Sequence, residues 1–182
     1  AVHLSNMFNA DYRLEAVSGK GVVRNALFIG GAKMPSLFSR YSDNTKENTY
    51  KIQDHFVPNV LFLFIGANDY SNIKNPSINN FVTGYIEMLH KIVKDYFIYA
   101  DQGTKIVSIC DIEFNTELCF NVKNAVKNFA YAYKYVYYVE IPQGTQGKNE
   151  TGCIGHPNAR GQRRMAEAVY ESVKAILSEW LI

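Results

Sequence analysis

Val60-Leu61-Phe62-Leu63-Phe64-Ile65-Gly66-Ala67-Asn68-Asp69-Tyr70 is the stretch that decides the fold. Its first six residues are an unbroken apolar run between Pro58 and Gly66. A strand with one wet face alternates apolar and polar residues. An unbroken run fits a strand buried on both faces, as in a parallel sheet. The downstream sequence agrees. After Pro76, the residues Ile78, Phe81, Val82, Tyr85, Ile86, Leu89, Ile92 and Val93 recur at helical spacing. Residues 105–110 then read as a strand, 118–131 as a helix and 135–141 as a strand. A last helix is predicted over 157–180, with Met165, Val169, Val173, Ile176, Leu177 and Trp180 along one side. Pro157 suits a first helical turn, where its missing N–H costs nothing.

Toward the N-terminus, residues 1–9 read as the end of a helix and 12–17 as a short strand. That strand runs into Ser18-Gly19-Lys20-Gly21. Residues 22–28 lack Gly and Pro, but Gly30, Gly31 and Pro35 interrupt the chain beyond them, and 42–48 read as polar loop. Strands alternating with helices imply a mostly parallel sheet covered by helices. No repeat, low-complexity tract or linker divides the chain, so residues 1–182 read as one domain.

The bulk composition narrows the function. Nineteen basic and 17 acidic residues leave a net charge of +2. Neither sign dominates, which argues against nucleic-acid or anionic-membrane partners. No apolar run reaches the ~18 residues of a membrane span. Three cysteines, Cys110, Cys119 and Cys153, allow one disulfide plus a free thiol, or three free thiols. No Cys/His spacing suggests a metal. Asn149-Glu150-Thr151 is a glycosylation sequon if the protein is secreted. The chain opens on Ala1 without a leader and so reads as a mature form or a fragment.

In open parallel sheets, ligands bind beyond the carboxyl ends of the strands. Three segments fall there. In 18–25, Gly19 and Gly21 let the backbone bend and can leave an N–H open to a ligand; a plain tight turn explains them equally well. Lys20 and Arg24 are either solvated or, for Arg24, bonded to backbone carbonyls. Neither phosphate-loop pattern is present. In 66–70, Asn68 can aim its amide at a developing oxyanion, or simply form an Asx turn, while Asp69 ties down the loop. In 152–157, His156 is held just before the last helix and can act as general base; a surface or capping histidine is the alternative. His3 and His90 fall on presumed helices and His55 in a loop.

In this order and at these strand ends, the three segments resemble the SGNH (GDSL) hydrolases. Gly66-Ala67-Asn68-Asp69 resembles their third block, His156-Pro157 their fifth and Ser18-Gly19 their second. The wording of 16–22 and of Gly152-Cys153-Ile154-Gly155-His156-Pro157-Asn158 is most similar to the second carbohydrate-esterase family, the acetyl xylan esterases. The resemblance implies a three-layer α/β/α, flavodoxin-like fold and serine-based acyl transfer without a cofactor. It implies that the Gly19 N–H and the Asn68 amide hold the oxyanion and that His156 is the base. The substrate would be an acetylated polysaccharide or oligosaccharide, and the protein extracellular. Tyr70, beside Asn68, is the candidate aromatic wall for a sugar.

Two departures stand out. The family's Gly-Asp-Ser block, after the first strand, is absent. A βαβ unit takes roughly 30 or more residues, so the first strand and its serine are expected before Ala1, with an upstream segment or another chain supplying them. Without that strand, both its neighbours lose a hydrogen-bonding partner, and the isolated 182 residues are expected to fold poorly. Ser18 is a poor substitute nucleophile, because it sits beside the oxyanion donor. The second departure concerns the Asp that many relatives place two or three residues before the base. Here those positions are Ile154 and Cys153. The resembling esterases get by with a Ser-His dyad. Two other functions fit: a non-catalytic carbohydrate-binding relative, or an esterase or lipase for small or lipidic esters.

Overall fold

The computed structural model describes residues 1–39, 57–97 and 104–178. The elements run α1 (Val2–Phe8), β1 (Val60–Leu63), α2 (Ile78–Phe97), β2 (Lys105–Asp111), α3 (Thr116–Phe129), β3 (Val136–Ile141) and α4 (Ala159–Leu177). The expected loop at 42–48, His55 and Trp180 lie outside the described residues.

The three strands are parallel and stand in the order β1-β2-β3. Leu61 pairs with Ile106, and Val107 with Tyr137. All seven residues of β2 are buried, because helices cover both faces. Ile106 and Cys110 point into one core with Phe81, Tyr85 and Leu89 of α2 and Leu118, Val122 and Phe129 of α3. Val107 and Ile109 point into the other, with Leu4 of α1 and Met165, Val169 and Val173 of α4. This is the expected three-layer α/β/α arrangement. Ser108, the polar residue in the middle of β2, accepts from the Tyr85 hydroxyl at 3.0 Å.

Two expectations change. Residues 12–17 form no strand, and Tyr12 and Leu14 stay exposed. A strand needs a ladder partner for its backbone N–H and C=O groups, and none of the three strands offers one there. Instead, an apolar cleft of about 500 Å³ separates residues 10–17 from β1, lined by Leu14, Val17, Val60 and Phe62 among others. The second change is at α4. Asn158 caps the helix, its Oδ1 accepting from the N–H groups of Arg160 (3.0 Å) and Gly161 (3.1 Å), so Pro157 lies just outside. Asn is among the strongest N-caps because its side chain meets otherwise unpaired first-turn donors. The cysteines resolve as a Cys110–Cys119 disulfide and an exposed Cys153 thiol.

Candidate active site

Parallel strands deliver the loops at their carboxyl ends to a single edge of the sheet. The loop after β1 meets that edge and carries segment 18–34 against it. The joint is Asp69. Its side chain is fully buried and accepts from the N–H groups of Val22 (2.8 Å), Val23 (2.7 Å) and Arg24 (2.8 Å). Burial pushes its carboxyl above the ordinary range, against the pull of those donors. The packing leaves no room at Gly21: a Cβ there would lie 1.9 Å from the Arg24 carbonyl oxygen. Asn25 braces the same loop. It accepts from the Gly21 N–H and donates to the carbonyls of Gly30, Gly31 and Ala32. The Arg24 guanidinium donates to the Lys74 carbonyl, tying the two loops a second time.

Within this frame sit two donors. Asn68 Nδ2 donates one hydrogen to the Lys20 carbonyl at 2.9 Å. A primary amide carries two, and among the described residues the second meets no acceptor. Gly19 has φ 75°, and its carbonyl accepts from Ala26 at 2.8 Å. Its own N–H has no acceptor among the described residues. Glycine is required twice over here, by the left-handed backbone and because a Cβ would meet Ile29 Cγ1 at 2.7 Å. An unspent amide N–H and an unspent side-chain N–H, braced on adjoining loops, suit a developing oxyanion.

His156 comes from the loop after β3. Its backbone is extended, its N–H donates to the Cys153 carbonyl at 3.1 Å, and its ring is exposed. Glu150 anchors this loop. Its carboxylate accepts from the Gly147 N–H (2.8 Å) and from Arg164 Nε (2.8 Å), and its carbonyl from the Asn158 N–H (2.8 Å). No hydrogen-bond partner holds the imidazole among the described residues. Between the two halves, Asp111 ends β2 and accepts from Gln146 Nε2 at 3.0 Å, linking the loops after β2 and β3. Burial raises its carboxyl also. Since β2 stands between β1 and β3, Asn68 and His156 spring from strands two ladder spacings apart, about 10 Å. That span leaves room for a substrate group between them. Among the described residues, no group of His, Cys, Asp or Glu is arranged to hold a metal, and no helix is long and apolar enough to cross a membrane.

Residues 2–169 match the family described as GDSL-like lipase/acylhydrolase. The chain belongs to that family. The GDSL-like chain also has the fold of several solved carbohydrate esterases. A family 2 carbohydrate esterase with a carbohydrate-binding domain from Corynascus thermopiles (Myceliophthora fergusii) superposes with TM-score 0.81 at 23% identity, over 97% of this chain and 56% of that one. A family 2 carbohydrate esterase from Clostridium thermocellum, solved with cellohexaose, gives 0.82 at 22%, over 96% and 53%. An acetyl xylan esterase from the rumen bacterium Butyrivibrio proteoclasticus gives 0.81 at 14%, over 98% and 55%. The chain thus spans about half the length of these structures. Among curated proteins, none matches it in sequence.

Of the residues singled out in the sequence, Gly19 and Asn68 come together on adjoining loops of the GDSL-like chain, and His156 stands across the same edge. Tyr70 does not face a substrate. It is 6% exposed, its ring packs edge-on against Phe81 with centroids 5.2 Å apart, and its hydroxyl accepts from Asn121 Nδ2 at 2.7 Å. The chain turns inward after Asp69, which carries the ring into the core. Asp69 does more than tie down its own loop, since it holds the glycine loop. Arg24 bonds a carbonyl, one of the two roles open to it. Asn25 and Glu150 carry no mark in the sequence. Their partners are backbone groups and a residue 14 positions on, and neither leaves a periodic signal.

Proposed function

We propose that this chain supplies the oxyanion hole and the general base of a serine esterase that removes O-acetyl groups from carbohydrate. The observation that carries the reading is the pair of donors without a further acceptor among the described residues, Gly19 N–H and Asn68 Nδ2, on loops that Asp69 joins. In the reaction, a serine oxygen attacks the acetyl carbonyl while His156 takes its proton. The carbonyl oxygen becomes an anion between the two donors. His156 then returns the proton to the departing sugar hydroxyl, and water repeats the sequence to free acetate. The serine would arrive at the carboxyl end of a strand seated in the cleft beside β1, contributed by an upstream segment or by another chain. The apolar lining of that cleft favours such an occupant. Cellohexaose bound to a structural relative supports a saccharide as the ligand class. The buried Cys110–Cys119 disulfide favours an oxidising, extracellular setting.

A non-catalytic carbohydrate-binding role is the second reading. An imidazole with no hydrogen-bond partner among the described residues favours it, because an unoriented base is a weak one. Acetate release from acetylated xylan and from p-nitrophenyl acetate, by protein that includes the cleft-filling strand, separates the two. The esterase reading expects turnover, and a fall in kcat on the order of 10³-fold for His156→Ala. Absence of turnover, or turnover indifferent to His156→Ala, would overturn it.

A further inference from the structure

The loop after β3 folds back on itself as a short hairpin. The Gly152 N–H donates to the His156 carbonyl at 2.6 Å, and the Asn158 N–H donates to the Glu150 carbonyl at 2.8 Å. Between those bonds Thr151 bridges Pro157 in antiparallel pairing. A tight turn leads into the hairpin. The Glu150 N–H closes it on the Gly147 carbonyl at 3.0 Å, with Asn149 third of the four residues. Glu150 is buried at 4% exposure, its carboxylate held by the Gly147 N–H and Arg164. Its neighbours Asn149 and Thr151 are both exposed. Successive side chains along extended backbone take opposite faces, so burying Glu150 turns the residues beside it toward solvent.

Neither the Asn149 amide nor the Thr151 hydroxyl meets a hydrogen-bond partner among the described residues. Other asparagines of the chain use their side chains within the fold. Asn158 caps α4 and donates to the Asn149 carbonyl at 3.0 Å. Asn25 braces the glycine loop, Asn72 donates to the Asn68 carbonyl, and Asn115 caps α3. Asn149 therefore has a free amide in an open turn, with a free hydroxyl two residues on. Asn149-Glu150-Thr151 is also the one Asn-x-Ser/Thr triplet in the sequence with an acceptable centre. Asn75-Pro76-Ser77 has the spacing, but proline at the centre bars it.

We infer that Asn149 is an N-glycosylation site, which roots an oligosaccharide at the foot of the hairpin that carries His156. This rests on the extracellular setting proposed above and not on the chemistry of the site. The co-reactant is an oligosaccharide carried on a lipid pyrophosphate. The Asn149 Nδ2 bonds to the anomeric carbon of the first sugar, and the bond from that carbon to the pyrophosphate oxygen breaks. The amide gives up one proton, and the lipid pyrophosphate departs. A glycan is bulky and needs an open surface loop. The fold accommodates one here, because the Asn149 side chain makes no bond that the hairpin depends on. Glu150 and Asn158, which do hold the hairpin, are left untouched. The Cys110–Cys119 disulfide suits the same oxidising secretory compartment.

The test is peptide mass mapping of the full-length protein made through the secretory pathway of a eukaryotic host, before and after treatment with peptide-N-glycosidase. The expected result is an oligosaccharide on the peptide that contains Asn149, which the treatment removes, leaving Asp at that position. Asn149→Gln and Thr151→Ala should each abolish the modification, and Thr151→Ser should retain it. A bare Asn149 in the parent protein overturns the inference, as does a modification of that peptide that survives Asn149→Gln. The parent measurement decides by itself if a variant fails to fold. Hydrolysis of p-nitrophenyl acetate by the same samples keeps this outcome apart from the esterase reading. Hydrolysis by protein with a bare Asn149 leaves the esterase standing and the inference failed. Glycosylated protein without hydrolysis leaves the inference standing and the catalytic role failed.

Discussion

The two halves of the site are built in opposite ways. The Gly19–Asn68 half is over-determined. A fully buried carboxylate, a buried Asn and two glycines with no room for a Cβ fix it from beneath. The His156 half stands in solvent. Its loop is anchored at Glu150 and Asn158, but residues 151–156 are all exposed, and the turn before the ring is strained. On the proposed esterase reading, the difference matches what each half would do. An oxyanion hole works by pre-set dipoles that need not reorganise as charge develops, so rigidity in the Gly19–Asn68 half suits that proposed role. A base must reach a nucleophile and then a leaving group, and it tolerates a looser mount.

The sharpest way to break the comparison is to remove the clamp. Asp69→Ala strands three buried or half-buried N–H groups, at about 1–3 kcal/mol each. Partial rescue by water should leave a net loss of about 3–5 kcal/mol. Urea unfolding measures it. A loss below about 1 kcal/mol would mean that the glycine loop is held mainly by Asn25 and Arg24, and that the oxyanion half is less rigid than its hydrogen bonds suggest.

The contrast also explains which parts are legible in sequence. The sheet and its helices are, because burial on both faces writes unbroken apolar runs such as 60–65 and periodic ones such as 78–93. Gly19, Asn68 and His156 are readable as motif residues, Asn68 and His156 in the loops after β1 and β3. The strand expected at 12–17 is not, because a strand is a property of a pair and its neighbour is not among the three ladder strands. Tyr70 misleads for a related reason. Adjacency to Asn68 in sequence says nothing about the direction of the side chain after a tight turn, and the ring goes to the core. The left-handed corners at Phe28 and Ile154 are illegible because their signature is a backbone angle. Sequence alone places an exposed Phe or Ile no differently from a buried one.

On the looser half, smaller effects are expected. Glu150→Gln removes the charge facing Arg164, whose side chain is 54% exposed. A pair open to water on one side contributes about 1 kcal/mol or less. The amide can still accept from the Gly147 N–H, so the loop should keep its course while opening more often. Faster amide exchange confined to residues 147–158, with global stability nearly unchanged, is the expected pattern. Exchange that instead rises across α4 would show that Glu150 braces the helix rather than the loop.

Ile154→Asn should have the smallest effect on stability, and the opposite sign. Ile154 has left-handed backbone, with φ 55°, which at a non-glycine residue costs of order 1 kcal/mol or more. Asn relieves part of that cost through its short polar side chain. The side chain removed is almost wholly solvated, so no core contact is lost in exchange. The variant should therefore be as stable as the parent, or more stable by up to about 1 kcal/mol, in the same urea titration as Asp69→Ala. That sign is decisive. If the substitution destabilises, Ile154 has a packing role, and the base-side half is held more firmly than its exposure implies. If it stabilises, the parent retains a strained, solvent-facing isoleucine in the turn before its candidate base against its own folding interest.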